Sequence, residues 1–296
     1  MADAQEELRN FKPTKDFFIG IDSDGCAFDT MEVKHKECFI PNIVRFLELA
    51  AVSKYAREVA EFVNLYSHWR GINRFPGLTL TLELLAKRTE VRKRRFVVPQ
   101  LPGLKRWVES ESMLANPVLK KAAEASNDPD LALAYAWSEA VNQTIAEVVC
   151  DVPPFPFVLE SLGMMDGRAD VMVVSATPGE ALNREWEEHG LKPHVALIAG
   201  QEMGTKKEHL ALATTGRYDR DKVLMVGDAL GDMKAAEANN ALFFPIDPGL
   251  EDESWERFAK EALPRFFAGT YAGEYMAAQV ARFRALLPER PPWRDA

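Results

Sequence analysis

Residues 17–30, FFIGIDSDGCAFDT, decide how the rest of the chain is read. The first five, FFIGI, form an apolar run of strand length. They stop at Asp22-Ser23-Asp24-Gly25, residue types that favour turns. A short apolar strand that runs directly into acidic turn residues is the form a buried strand of a parallel sheet takes at its carboxyl end. Ligands of open α/β sheets sit at those ends, so Asp22 and Asp24 become candidate functional residues.

The same pattern recurs after residue 160. DVMVVSATP (170–178), VALIAG (195–200), KVLMVGDALGD (222–232) and ALFFPI (241–246) read as strands. ALNREWEEHG (181–190), closed by Gly190, and stretches near 206–214 and 232–239 read as the intervening helices. Such alternation predicts βαβ units and a parallel sheet. Between the first strand and this block the chain is mostly helical. SKYAREVAEFVNLY (53–66), LTLTLELLAKR (78–88) and LALAYAWSEAVNQTIAEVV (131–149) carry apolar residues at helical spacing. Breaks fall at NRFPG (73–77), PQLPG (99–103) and DVPPFP (151–156). The expected fold class is therefore α/β: a Rossmann-like parallel sheet core with helices on both faces, plus a largely α-helical cap domain. Residues 1–32 and 160–296 form the core in this reading, and 33–159 the cap. GEYMAAQVARFRALL (273–287) is expected to close the fold as a helix, with LPERPPWRDA (287–296) a frayed tail.

Composition narrows the function classes. At 47% hydrophobic residues over 296, the chain holds enough apolar material for a sizeable core. A formal net charge of −9 argues against a general nucleic-acid binder, which must neutralise phosphates. Cys26, Cys38 and Cys150 have no metal-type spacing and give no disulfide framework. The polar N-terminus and the lack of a membrane-length apolar run lead to the expectation of a cytoplasmic protein with no membrane partner. Nothing in the sequence indicates an oligomeric state.

Four polar clusters fall at or near strand ends: Asp22 with Asp24, Ser175, Lys206 or Lys207, and Asp228 with Asp232. Phosphate esters repel nucleophiles, so an enzyme acting on them needs a cation and a well-placed attacking group. Asp22 and Asp228 offer hard oxygen ligands suited to Mg²⁺. The Asp22 carboxylate can then attack phosphorus, while Asp24 protonates the leaving oxygen and later activates water. Ser175 and a lysine ammonium are placed to hold the phosphoryl oxygens.

These clusters, in this order, resemble the motifs of the haloacid dehalogenase-like hydrolase superfamily. Its first motif, DxDG often followed by DT, is matched by Asp22 to Thr30. The second is matched by VMVVSATP with Ser175, the third within GTKKEHL, and the fourth, GDxxxD, by Gly227 to Asp232. The resemblance implies Asp22 as nucleophile and Asp24 as acid/base. It implies Mg²⁺ on the side chains of Asp22 and Asp228 and the main-chain carbonyl of Asp24, with Asp232 a second-shell or alternative ligand. It also implies a helical cap inserted after the first motif. Lys206 stands four before Leu210, as in KxxxL versions of the third motif, and is preferred to Lys207.

Phosphate contacts are expected from Ser175, Ala176 and Lys206. Thr177 is the better-placed cap for the helix that follows. In the cap, Arg70 and Arg74 flank a Gly/Pro-rich break and are candidate substrate contacts, against the alternative of a structural turn with exposed arginines. Lys34 and His35 are read as a solvated helix face. KRTEVRKRR (87–95) carries six positive charges against Glu90 and is read as solvated as well. The expected activity is hydrolysis of a small phosphorylated metabolite. Phosphosugar mutase and phosphonatase chemistry use the same nucleophile, the latter needing an amine such as Lys34, Lys36 or Lys54. A non-catalytic binding protein on this fold should have lost one of the four clusters, and none is lost.

Overall fold

The computed structural model describes residues 4–293. Five parallel strands, β1 (Phe17–Ile21), β2 (Ala169–Val174), β3 (Leu197–Ala199), β4 (Val223–Gly227) and β5 (Leu242–Pro245), form one sheet in the order β3-β2-β1-β4-β5. β1 is thus central although it is first in sequence. Every residue of β2 and β4 is buried, which is why VMVV (171–174) and VLMVG (223–227) read as apolar runs without alternation.

The chain divides into two compact units. The first comprises residues up to 30 and 151–286, and contains the whole sheet. Ile19, Ile21, Val171, Val173, Leu224, Val226 and Phe244 form one buried cluster with Leu182, Trp186, Trp255 and Phe258. The second unit comprises 31–150 together with the segment from 287. It is helical, and its main helices are Ser53–Asn64, Arg74–Lys87, Pro102–Ser110, Asn116–Ser126 and Pro129–Val148. Val59, Leu82, Leu85, Trp107, Leu119 and Trp137 are buried at its centre. Unit boundaries therefore lie at 30/31 and 150/151, two and nine residues earlier than the sequence reading put them, and a third lies at 286/287.

That third boundary changes the reading of the tail. Residues 287–293 are not frayed. Leu287 is buried, and the Pro288 carbonyl accepts the His68 N–H at 3.3 Å. The Trp293 ring packs edge-on against Phe62 at 5.3 Å, with the Arg88 guanidinium 4.7 Å from its centroid. One aromatic contact, one cation over the ring and the His68–Pro288 hydrogen bond outweigh the turn-forming prolines that made this segment look loose.

The insertion departs from the sequence reading at three further points. NRFPG is no break, because the Asn73 side chain accepts the Phe75 N–H at 3.0 Å and caps a helix that starts at Arg74. Pro76 sits in the first turn, where its missing N–H costs nothing. Lys34–Phe39 forms a π-helical turn in which His35, half-buried, stacks on Phe39 at 4.7 Å. It is not a solvated face. Within KRTEVRKRR, Arg88 is buried and paired with Glu58 and Glu90, while Arg92, Lys93, Arg94 and Arg95 are exposed. Among the described residues no helix is long and apolar enough to cross a membrane.

Candidate active site

Strand register brings the polar clusters of the first unit together. Ile21 is level with Val173 on one side and Val226 on the other. Asp22 therefore stands beside Val174 and Gly227, with Ser175 and Asp228 one residue further along their strands. The Asp22 N–H still donates to the Val226 carbonyl at 3.0 Å, so the sheet itself fixes the backbone of this residue. Beyond it the chain turns. Gly25 has φ 76°, and the Ser23 carbonyl accepts the N–H groups of Cys26, Ala27 and Phe28 at 2.8–3.2 Å. A side chain at position 25 would strain this turn.

Lys206 is the first residue of the helix Lys206–Thr214, which Thr205 and Glu208 cap reciprocally. Its ammonium donates to Asp22 Oδ2 and to Asp232 Oδ1, each at 2.6 Å. Lys207 is exposed. Asp232 Oδ2 accepts the Ala229 N–H at 3.0 Å, so both of its oxygens are engaged. This carboxylate folds back over the end of β4. A Cβ at position 227 would lie 2.4 Å from the Asp232 side chain, which is why glycine precedes Asp228.

Oxygens of Asp22, Asp228 and Asp232 converge within 4.8 Å of one another, and all three residues are buried. Burial pushes the Asp22 carboxyl up to about 6; Lys206 opposes this and Asp232 adds to it. Burial likewise raises Asp232. Burial acts to lower Lys206, but Asp22 and Asp232 outweigh it and hold the ammonium above its ordinary value. One cation faces three carboxylates, and three hard oxygen donors crowded in a buried space fit a divalent ion such as Mg²⁺.

Asp24 stands apart from this cluster. Its Oδ1 accepts the Thr30 hydroxyl at 2.5 Å and its Oδ2 the Thr177 hydroxyl at 2.7 Å. Thr177 thus does not cap the next helix, Gly179–Glu188, whose N-cap position is Pro178 with no side-chain bond. The buried Ser175 Oγ accepts the Thr177 N–H at 3.2 Å, which leaves its hydroxyl proton to donate elsewhere. Ala176 follows in an exposed loop position. Two carboxylates two residues apart are therefore held differently, Asp22 by an ammonium and Asp24 by two hydroxyls. The role of Thr177 was not readable from sequence, since it depends on a partner 153 residues away. The buried Cys26 thiol is pushed well above its usual range by burial and by nearby Asp228, and is no thiolate nucleophile.

Arg70 and Arg74 belong to the second unit. Arg70 is buried and donates to the Leu65 carbonyl at 2.9 Å. Arg74 donates to Ser138 Oγ at 2.9 Å and Asn142 Oδ1 at 2.7 Å, and burial pushes it down to about 10. Neither is an exposed turn arginine, and both engage their own unit.

A central first strand, order β3-β2-β1-β4-β5, and acidic residues after β1 and β4 define the fold of the haloacid dehalogenase-like hydrolases, an α/β core with a helical cap. Among solved structures, a protein from Lactobacillus delbrueckii subsp. bulgaricus, designated by inference as a phosphoglycolate phosphatase, aligns at 14% identity and TM-score 0.50, covering 83% of this chain and 92% of its own. A Haemophilus somnus protein, predicted to be a phosphoglycolate phosphatase, aligns at 13% identity and TM-score 0.47, over 79% and 86%. A superfamily hydrolase from Geobacter sulfurreducens aligns at 16% and TM-score 0.39, over 78% and 88%. No protein-family model matches the sequence, and no curated protein does.

Proposed function

We propose that the protein is a Mg²⁺-dependent phosphatase that hydrolyses a small phosphorylated metabolite through an aspartyl-phosphate. The observation that carries this reading is the contrast between Asp22 and Asp24. Asp22 is fixed by the sheet with Lys206 on Oδ2 and the Ser23 N–H on Oδ1 at 2.8 Å. It is a positioned nucleophile. Asp24, held between the Thr30 and Thr177 hydroxyls, suits proton transfer.

In the first step a carboxylate oxygen of Asp22 bonds to phosphorus as the ester P–O bond breaks, and Asp24 gives its proton to the leaving oxygen. Asp24 then takes a proton from water, whose oxygen attacks phosphorus and releases inorganic phosphate and free Asp22. Ser175 donates its hydroxyl proton to a phosphoryl oxygen. Lys206 has used two of its three N–H groups and offers the third. When bound by Asp22, Asp228 and the Asp24 carbonyl, Mg²⁺ would neutralise phosphoryl charge. The backbone N–H of Ala176 completes the set of proposed substrate contacts.

Phosphonatase chemistry is less well supported by the lysines of the insertion. Burial acts to lower Lys36, but Glu32 and Tyr66 outweigh it and hold the ammonium above its ordinary value. An imine-forming amine needs the opposite shift. The test is a screen of phosphorylated metabolites, and of p-nitrophenyl phosphate, for phosphate release with and without Mg²⁺. Hydrolysis that needs the metal and is abolished by Asp22→Asn supports the reading; substantial turnover by Asp22→Asn overturns the assignment of the nucleophile.

A further inference from the structure

Ser23 lies between the two aspartates and its side chain has no part in the chemistry above. It is fully buried, as is Trp186. The Trp186 Nε1–H donates to Ser23 Oγ at 2.9 Å, and the Ser23 hydroxyl donates to Glu185 Oε2 at 3.1 Å. Trp186 also meets Phe28, at the far end of the same loop, edge-to-face at 5.9 Å. A buried hydroxyl with both its donor and acceptor capacity satisfied has one orientation.

Glu185 and Trp186 belong to the helix Gly179–Glu188. Two residues before that helix stands Thr177, whose hydroxyl holds Asp24. One helical segment therefore grips the loop twice: at Asp24 through Thr177, and at Ser23 through Trp186 and Glu185. The Thr30 and Thr177 hydroxyls hold the Asp24 carboxylate. The bonds to Ser23 add an anchor on the neighbouring residue and tie the loop to the same helical segment that Thr177 precedes.

We propose that Ser23, Trp186 and Glu185 form a positioning latch that fixes the orientation of Asp24 as proton donor. The inference rests on the roles proposed for Asp22 and Asp24. Loosening the latch should weaken proton donation while leaving substrate binding intact. Such a defect shows most with leaving groups that depend on protonation.

The experiment compares Ser23→Ala and Trp186→Phe with wild type on aryl phosphates of graded leaving-group basicity, in the presence of Mg²⁺. Trp186→Phe keeps the aromatic packing and removes the N–H, so it serves if Ser23→Ala folds poorly. Tyr271→Phe is the control: it breaks a buried bond to the Phe243 carbonyl, 2.7 Å long and away from the site. Both latch variants should lose roughly tenfold or more in kcat on the poorest leaving groups and under about threefold on the best, with KM unchanged. The double variant should lose no more than either single one. Tyr271→Phe should lower the melting temperature without changing the leaving-group dependence. Equal losses across the series in the latch variants, or no loss, overturn the latch. Asp24→Asn separates the two readings: if wild type turns over but Asp24→Asn shows no steeper dependence, it is the acid/base assignment that fails.

Discussion

Replacing Gly227 by alanine probes the fit between β4 and Asp232. The new methyl would lie 2.4 Å from Asp232 Cβ and Cγ and 2.6 Å from Oδ2. Carbon atoms rest at about 3.5–4.0 Å, so something must move by about 1 Å or more. β4 cannot yield, because it pairs with β1 on one side and β5 on the other, and the Gly227 carbonyl accepts the Ile246 N–H at 2.9 Å. Asp232 must swing away, which breaks its bonds to Lys206 and to the Ala229 N–H. Hydrogen bonds to a charged group contribute about 1.5–3 kcal/mol each, and overpacking costs about 1–3 kcal/mol. Partial relaxation leaves a destabilisation on the order of 4 kcal/mol, or about 10 °C in melting temperature for a chain of this size. Gly163→Ala is the matched control, since nothing lies within 4 Å of its added Cβ on an exposed helical position. That change should stabilise by about 0.5–1 kcal/mol. Thermal unfolding followed by circular dichroism measures both. A Gly227→Ala protein that melts with wild type would refute the packing argument.

Two further outcomes follow from residues with no role in the proposed chemistry. Burial pushes the His209 imidazole down to about 4, so the native protein binds no proton there until well below the unfolded value of 6.5. The unfolded chain binds more protons between those values, so stability is complete above about 6.5 and falls as pH drops towards 4, by on the order of 3 kcal/mol. Urea midpoints taken across that window should fall more steeply for wild type than for His209→Leu; parallel profiles would exclude the histidine as the cause. Trp293→Ala removes the contacts with Phe62 and Arg88 and should cost about 2 kcal/mol. Amide exchange at 287–293 should then accelerate, and unchanged protection there would show that the ring does not anchor the segment.

The sheet was legible because parallel strands buried on both faces appear as apolar runs, and the runs beside the candidate site ended in a polar residue at the carboxyl edge of the sheet. FFIGI before Asp22 and VLMVG before Asp228 are the plainest cases. Lys206 was favoured over Lys207 by the resemblance to KxxxL forms of the third motif, and the structure shows its ammonium on Asp22. What sequence hid was long-range pairing of small polar groups. Thr177 looked like a helix cap because local chemistry favours that role, yet its hydroxyl reaches Asp24 instead. Ser23 is a turn residue to any local reading, and its tryptophan donor lies 163 residues away. The helix starting at Arg74 did carry a signal, an asparagine followed by proline in the first turn, which the adjacent glycine masked. The π-helical turn at Lys34–Phe39 left no comparable mark.

The tail has a consequence for any attempt to move the helical unit between scaffolds. Residues 31–150 look like a cassette with two cut points. Phe62, Arg88 and the His68 N–H, however, all rest on residues 288–293, which follow the whole sheet-bearing unit in sequence. A graft of 31–150 alone would strip Phe62 and the Arg88 guanidinium of one ring contact each, leaving Trp69 and Tyr55 as the rings that remain against them. The transplantable piece is discontinuous, and 287–293 must travel with it.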